Sequence, residues 1–222
     1  MTTRHEFLAQ LHELLKPKTY LEIGVQHGWS LDLAHGAELA VGVDPHPLVE
    51  AKGNQSIFPL TSDEFFNKRG FVLPPVDLAF IDGMHLYEYA LRDFINVLRY
   101  VHKDSVVVFD DVLPRNQGEA NRVQCPGDWT GDVWKIHRTV PVYRPDLKFR
   151  LVDTQPTGLL LVTGFDKKTN VIVTSLNRVY GSLAIVWSKD YLVPDDVINR
   201  ESAWQPERAL EEVRNGMEAP TV

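Results

Sequence analysis

Apolar residues recur at helical spacing over 6–15, where Phe7, Leu8, Leu11, Leu14 and Leu15 share one side. This predicts an amphipathic helix that Pro17 ends. The pattern then changes. Short, almost uninterrupted apolar runs at 20–23, 40–43, 76–81 and 106–109 are separated by polar stretches of helix size, with a weaker run at 56–58. Such runs predict strands buried on both faces, as in a parallel sheet. Their alternation with helices predicts an open, doubly wound α/β sheet. After about residue 144, the segments 149–154 and 159–163 flank Gln155-Pro-Thr-Gly158, a turn signature. They predict an antiparallel hairpin at the sheet edge. The stretch 171–187 is apolar without a clean period, and 193–222 is a polar tail containing Trp204; helix is expected in both. No repeat or low-complexity linker interrupts the chain. A single domain is expected over 1–222: an N-terminal helix in 1–17, a core in 18–164 and a C-terminal helical extension in 165–222.

Composition narrows the classes. The chain of 222 residues has room for one sizeable core, and a net charge of −7 supplies no basic field for nucleic acid or an anionic membrane. No apolar run has the length of a membrane span or a signal peptide, so a cytoplasmic location is expected. The one cysteine, Cys125, allows neither an internal disulfide nor a cysteine-based zinc site.

The first predicted strand runs into Glu22-Ile-Gly24-Val-Gln26-His-Gly28. Two glycines after a buried strand let the backbone turn and approach a ligand closely; taken alone, they equally fit a tight strand–helix turn. The spacing lacks the middle glycine of the dinucleotide fingerprint, which disfavours an NAD-dependent dehydrogenase. It has the E-x-G-x-x-x-G form and resembles motif I of class I methyltransferases, in which the acidic residue reaches toward the amino group of S-adenosylmethionine (SAM). The second strand ends in Asp44, where a carboxylate can accept from both ribose hydroxyls. Thr61-Ser62-Asp63 follows the weaker third strand, where this fold meets adenine; Asp63 equally suits a helix N-cap. The expected cofactor set is Glu22, Gly24, Gln26, Gly28, Ser30, Asp44, Ser62, Asp63 and Asp82.

The fourth strand ends in Ile81-Asp82-Gly-Met-His85 and the fifth in Phe109-Asp110-Asp111. Neighbouring strands lie about 4.8 Å apart, so three carboxylates would meet at adjacent strand ends and repel one another unless protonated or neutralised. A cation is the simplest remedy, and all-oxygen donors select a hard one, Mg²⁺ first, with Mn²⁺ or Ca²⁺ as alternatives. The D-G-x-H segment, the Asp-Asp pair and Gly131-Asp-Val-Trp-Lys135 together resemble the macrocin/mycinamicin type of sugar O-methyltransferase over about residues 20–163. Size and motifs are also similar to a mycobacterial-type 1-O-methyltransferase of methylmannose polysaccharide. The resemblance implies a Rossmann-like, mostly parallel seven-stranded sheet. It also implies Mg²⁺ on Asp82, Asp110 and Asp111, His85 as general base, and a sugar or oligosaccharide acceptor. Singly, Asp82 fits a turn with Gly83, Asp110-Asp111 a helix cap, and His85 a surface or core histidine.

The polar stretch 113–130 follows the Asp pair directly and reads as a substrate lid or an ordinary surface loop. Tyr87 and Trp134 are candidates to line the acceptor pocket, with Trp129 as a further stacking surface. Asp132 is expected to cap the helix beginning at Val133, with Lys135 and Arg138 solvated and Tyr89 and Arg92 structural. The apolar C-terminal region either packs on the sheet or forms a homodimer surface. Three rivals share the fold: a catechol-type O-methyltransferase, a protein with other chemistry such as hydroxylation, and a non-catalytic SAM-binding module. His85, where a catechol enzyme has lysine, favours sugars.

Overall fold

The computed structural model describes residues 1–67, 72–166 and 169–218, and holds seven strands in one sheet. They are β1 (Thr19–Ile23), β2 (Leu39–Val43), β3 (Gln55–Phe58), β4 (Val76–Ile81), β5 (Val101–Phe109), β6 (Lys148–Val152) and β7 (Leu159–Thr163). The order is β3-β2-β1-β4-β5-β7-β6. Strands β1 to β5 are parallel; β7 runs antiparallel to β5 and β6. The expected hairpin therefore exists, with its second strand inserted beside β5 and its first at the edge. Strand β5 begins earlier than its apolar run, because exposed Lys103 and Asp104 hide its first half.

Alternation along the strands divides the core into two layers, as a period of two requires. Leu21, Ile23, Ala79, Ile81, Val107, Phe109, Leu160 and Val162 face one cluster. Tyr20, Leu78, Phe80, Val106, Val108, Leu159 and Leu161 face the other. Helices α2 (Ser62–Asn67), α3 (Tyr87–Val97), α4 (Ile136–Tyr143) and α5 (Thr169–Trp187) contribute to the first layer. Helix α1 (Arg4–Leu15), a 3₁₀ segment (Leu31–Gly36) and α7 (Pro206–Glu218) contribute to the second. A short α6 (Asp195–Ile198) lies between α5 and α7. Helix is thus present in both C-terminal stretches, while 219–222 lie outside the described residues. Among the described residues, no helix is long and apolar enough to cross a membrane.

Helix α1 starts two residues before its apolar pattern because Thr3 and Glu6 form a reciprocal capping box. The backbone N–H of Arg4 donates to the Gln155 carbonyl at 3.0 Å, and the Gln155 N–H to the Thr2 carbonyl at 2.9 Å. The first turn of α1 is thereby fixed to the β6–β7 turn.

Backbone pairing runs one residue beyond the parallel strands. Gly24 N–H donates to the Val43 carbonyl (2.8 Å), Asp44 to Phe58 (3.2 Å), Asp82 to Ile23 (2.8 Å) and Asp110 to Ile81 (3.1 Å). Four of the motif residues are therefore held in register at the carboxyl edge, on either side of the β1–β4 switch in strand order where such sheets bind ligands.

Candidate functional site

A cavity of about 750 Å³ opens at this switch point. Gly24, Gln26, Ser30, Asp44, Ser62, Asp63 and Asp82 line it. Glu22 and Gly28 do not. Glu22 is fully buried behind Ser30, accepting from the Ser30 hydroxyl at 2.8 Å and the Tyr20 hydroxyl at 2.7 Å. Gly28 turns the chain beneath the loop, against Val49. The Asp44 carboxylate anchors the glycine loop, accepting from the N–H groups of Val25 (2.9 Å), Gln26 (2.8 Å) and His46 (2.7 Å). Asp63 is no N-cap: Thr61 fills that role with Glu64, and Asp63 pairs with Arg92 at 2.7 Å.

Burial pushes the Glu22 carboxyl up to about 8, against the lowering effect of its two hydroxyl donors. The folded chain therefore keeps a proton that the unfolded chain releases from about 4.5 upward, so stability should fall with rising pH across that window. A Glu22→Gln variant should lose up to about 1.4 kcal/mol per pH unit of that slope. Melting temperatures of both proteins from pH 5 to 8 test this, and parallel curves would refute it.

A second cavity of about 450 Å³ adjoins the first, and Arg4, His5 and His85 line both. Its wall includes Asp111, Gln124, Asp128, Trp129, Gln155 and Thr157. His85 stands at the junction. Its Nδ1 lies 2.6 Å from the Trp129 carbonyl, which can only accept, so the neutral ring carries its proton there and its lone pair on Nε2. Nε2 is 3.4 Å from Asp82 Oδ1, Nδ1 is 3.1 Å from Asp111 Oδ2, and the Trp129 indole stacks on the ring at 5.1 Å. Burial alone would lower the imidazole, but Asp82, Asp111 and the Trp129 carbonyl outweigh it and raise it to about 9.

Two glycines hold these pieces together. A Cβ on Gly24 would lie 1.8 Å from the Asp82 carbonyl oxygen, and one on Gly131 would lie 1.7 Å from that of His85. Both have positive φ, and neither position accommodates a side chain.

The three aspartates lie near one another, Arg4 pairing with Asp110 and standing 3.8 Å from Asp82, but Asp110 is not among the residues whose ligand atoms come together. Asp110 is buried, accepts from the Asp111 N–H at 2.8 Å and pairs with Arg4. Burial and mutual repulsion raise both Asp110 and Asp111 above the usual carboxylate range. Asp111 adopts φ 60°, a sparsely populated conformation for a residue with a side chain, and its Oδ2 is buried without a hydrogen-bond partner. Asp82, His85 and Asp111 offer ligand atoms within 4.8 Å of one another. A buried carboxylate oxygen that accepts no hydrogen bond, beside His85 Nδ1 at 3.1 Å and a second carboxylate, fits a divalent cation.

Other expectations need correction. Tyr87 and Trp134 line neither cavity; both are core residues, and the Tyr87 hydroxyl donates to Thr139 at 3.0 Å. Helical periodicity turns Tyr87 inward, away from His85. Asp132 does not cap the segment it precedes. It accepts the Tyr87 N–H at 2.6 Å, so it caps α3, and also pairs with Arg122 and Lys135. Lys135 is wholly buried, its ammonium donating to Asp132 (2.6 Å) and to the carbonyls of Trp187 (2.8 Å) and Lys189 (2.7 Å). Arg138 is not free in solvent but pairs with Asp196. Tyr89 and Arg92 line the larger cavity, as does Asp93. Arg4 and His5 had no sequence signal beyond the Thr3–Glu6 spacing, which starts the helix but does not reveal where it docks.

Residues 21–112, from β1 to the Asp110–Asp111 pair, match the family model described as a methyltransferase domain. No curated protein matches the sequence. Among solved structures, the chain is similar to the O-methyltransferase from Bacillus cereus in complex with SAH: 17% identity, 73% of this chain and 80% of that chain covered, TM-score 0.53. It is also similar to the O-methyltransferase TomG of Streptomyces achromogenes, involved in tomaymycin synthesis and bound to SAM: 20% identity, 72% and 79% covered, TM-score 0.53. MycE, a methyltransferase of the mycinamycin pathway in complex with Mg and SAH, matches at 14% identity and TM-score 0.51. The match covers 71% of this chain and 48% of MycE. The fold is the Rossmann-like class I methyltransferase fold.

Proposed function

We propose that the chain is a SAM-dependent O-methyltransferase that uses a divalent cation, Mg²⁺ first, to methylate a hydroxyl of a sugar or oligosaccharide. The observation that carries this reading is the junction of the two cavities. The larger has the wall expected of a nucleoside site, the smaller is lined by two amides, two threonines, an indole and the charged Arg4, Asp111 and Asp128, and His85 stands where they meet. The methyltransferase-domain match and the SAM- and SAH-bound relatives support the cofactor; the Mg-bound MycE supports the metal.

SAM supplies a methyl group that is electrophilic without further activation. A cation in the Asp82, Asp110 and Asp111 cluster would lower the pKa of a nearby hydroxyl. The protein's own residues do the rest. Gln26, Ser30, Asp44 and Ser62 position the cofactor, and Trp129 offers an apolar face to a pyranose ring. The two carboxylates that raise the imidazole would be offset by a cation bound at Asp82 and Asp111, and the neutral His85 Nε2 would then accept the hydroxyl proton as the oxygen bonds to the methyl carbon. Alignment of the two cavities brings acceptor and donor together, which contributes as much as proton transfer.

The test is transfer of labelled methyl from SAM to mannose, glucose, rhamnose and catechol acceptors, with Mg²⁺ and with chelator. Label on a sugar that vanishes with chelator is expected. Label surviving chelation would remove the cation from the mechanism, and label on catechol alone would replace the sugar by a vicinal phenol.

A further inference from the structure

The Arg4 guanidinium enters the carboxylate cluster from the first turn of α1. Its Nη1 pairs with Asp110 and lies 3.8 Å from Asp82 Oδ2. Its side chain is about a quarter exposed, whereas that of Asp110 is almost wholly enclosed. The other Asp110 oxygen accepts the Asp111 N–H, so both oxygens of that carboxylate are already engaged. Asp111 differs: its Oδ2 is buried and accepts no hydrogen bond, although His85 Nδ1 lies 3.1 Å from it. Asp82 and Asp111, with His85 between them, bring their ligand atoms together without Asp110.

Charge gives the same division. With a cation bound and His85 neutral, the three ionised aspartates would carry three negative charges, of which Arg4 offsets one. The two that remain match a divalent cation. Arg4 is held in place by the Thr3–Glu6 capping box and by its own N–H on the Gln155 carbonyl, so its guanidinium is mounted on a fixed support.

We infer that Arg4 and Asp110 form a fixed ion pair that sets the charge of the cluster to suit a dication, leaving Asp82 and Asp111 as the carboxylates that touch it. This deepens the metal-assisted reading above and rests on it. Arg4 and Asp110 are then positioning residues: Asp110 acts on the cation through the field of the pair, not as a ligand.

The test is Mn²⁺ binding to the protein alone, followed by electron paramagnetic resonance without SAM or acceptor, in wild type, Arg4→Gln, Arg4→Lys, Asp110→Asn and Arg4→Gln/Asp110→Asn. One unit charge at this range changes affinity by about tenfold or more. Arg4→Gln should bind Mn²⁺ more tightly by that factor, and Asp110→Asn more weakly, because it strands the Arg4 charge. Arg4→Lys keeps the charge and should resemble wild type. The double variant restores the charge balance with Asp82 and Asp111 intact, and should return to within about threefold of wild type. Circular-dichroism melts of each variant exclude unfolding as the cause of any loss. A double variant as weak as Asp110→Asn would make Asp110 a direct ligand and overturn the inference. So would an Arg4→Gln affinity equal to wild type. Absence of Mn²⁺ binding in every protein would instead remove the metal-assisted reading, and the inference with it.

Discussion

Asp132→Ala is expected to destabilise the protein by about 3–5 kcal/mol, the cost of stranding a buried charge. Three groups lose their partner at once. Lys135 is wholly buried and keeps only two carbonyls, Arg122 retains only Glu88, and the Tyr87 N–H at the start of α3 loses its cap. At roughly 2–4 °C per kcal/mol for a chain of this size, the melting temperature should fall by about 6–20 °C. Asp132→Asn can still accept from Tyr87 but cannot neutralise Lys135, and should fall between. Thermal unfolding followed by circular dichroism decides the matter; an Ala variant within 2 °C of wild type, roughly 1 kcal/mol, would mean that solvent reaches Lys135.

His85→Ala should lower turnover by about 10²–10⁴-fold, the usual worth of a positioned general base. Cofactor affinity should change far less, because the remaining wall of the larger cavity is untouched. Single-turnover methyl transfer and calorimetric binding of SAH separate the two effects. A turnover loss below tenfold would assign proton removal elsewhere. A collapse of SAH affinity with normal turnover at saturation would make His85 a cofactor contact.

Much of this was legible in the chain because it depends on local pattern. Short apolar runs located β1, β2 and β4 to within one residue, since strands buried on both faces are apolar at nearly every position, Glu22 and Asp77 being the interior exceptions. Their order of motifs also placed Asp44, Asp82 and Asp110 at strand ends, where register carries them to one edge. Docking was not legible. The capping box announces where α1 starts, yet nothing local says that Arg4 will reach Asp110, 106 residues away. Lys135 looks like any surface lysine until the end of α5 closes over it. Tyr87, two residues from His85, was expected beside the acceptor for its proximity, but the first turn of α3 points it into the core.

The docking of α1 has a practical side. The Thr2 carbonyl accepts from Gln155, Thr3 lines the smaller cavity, and Arg4 and His5 line both. A purification tag fused ahead of Met1 would therefore emerge beside the smaller cavity. Helix α7 packs on α1 and the edge strand β6 and contributes to neither cavity. The carboxyl terminus is accordingly the better attachment point for labels, surfaces or fusion partners, and trimming the first residues to aid crystallisation would remove part of the site itself.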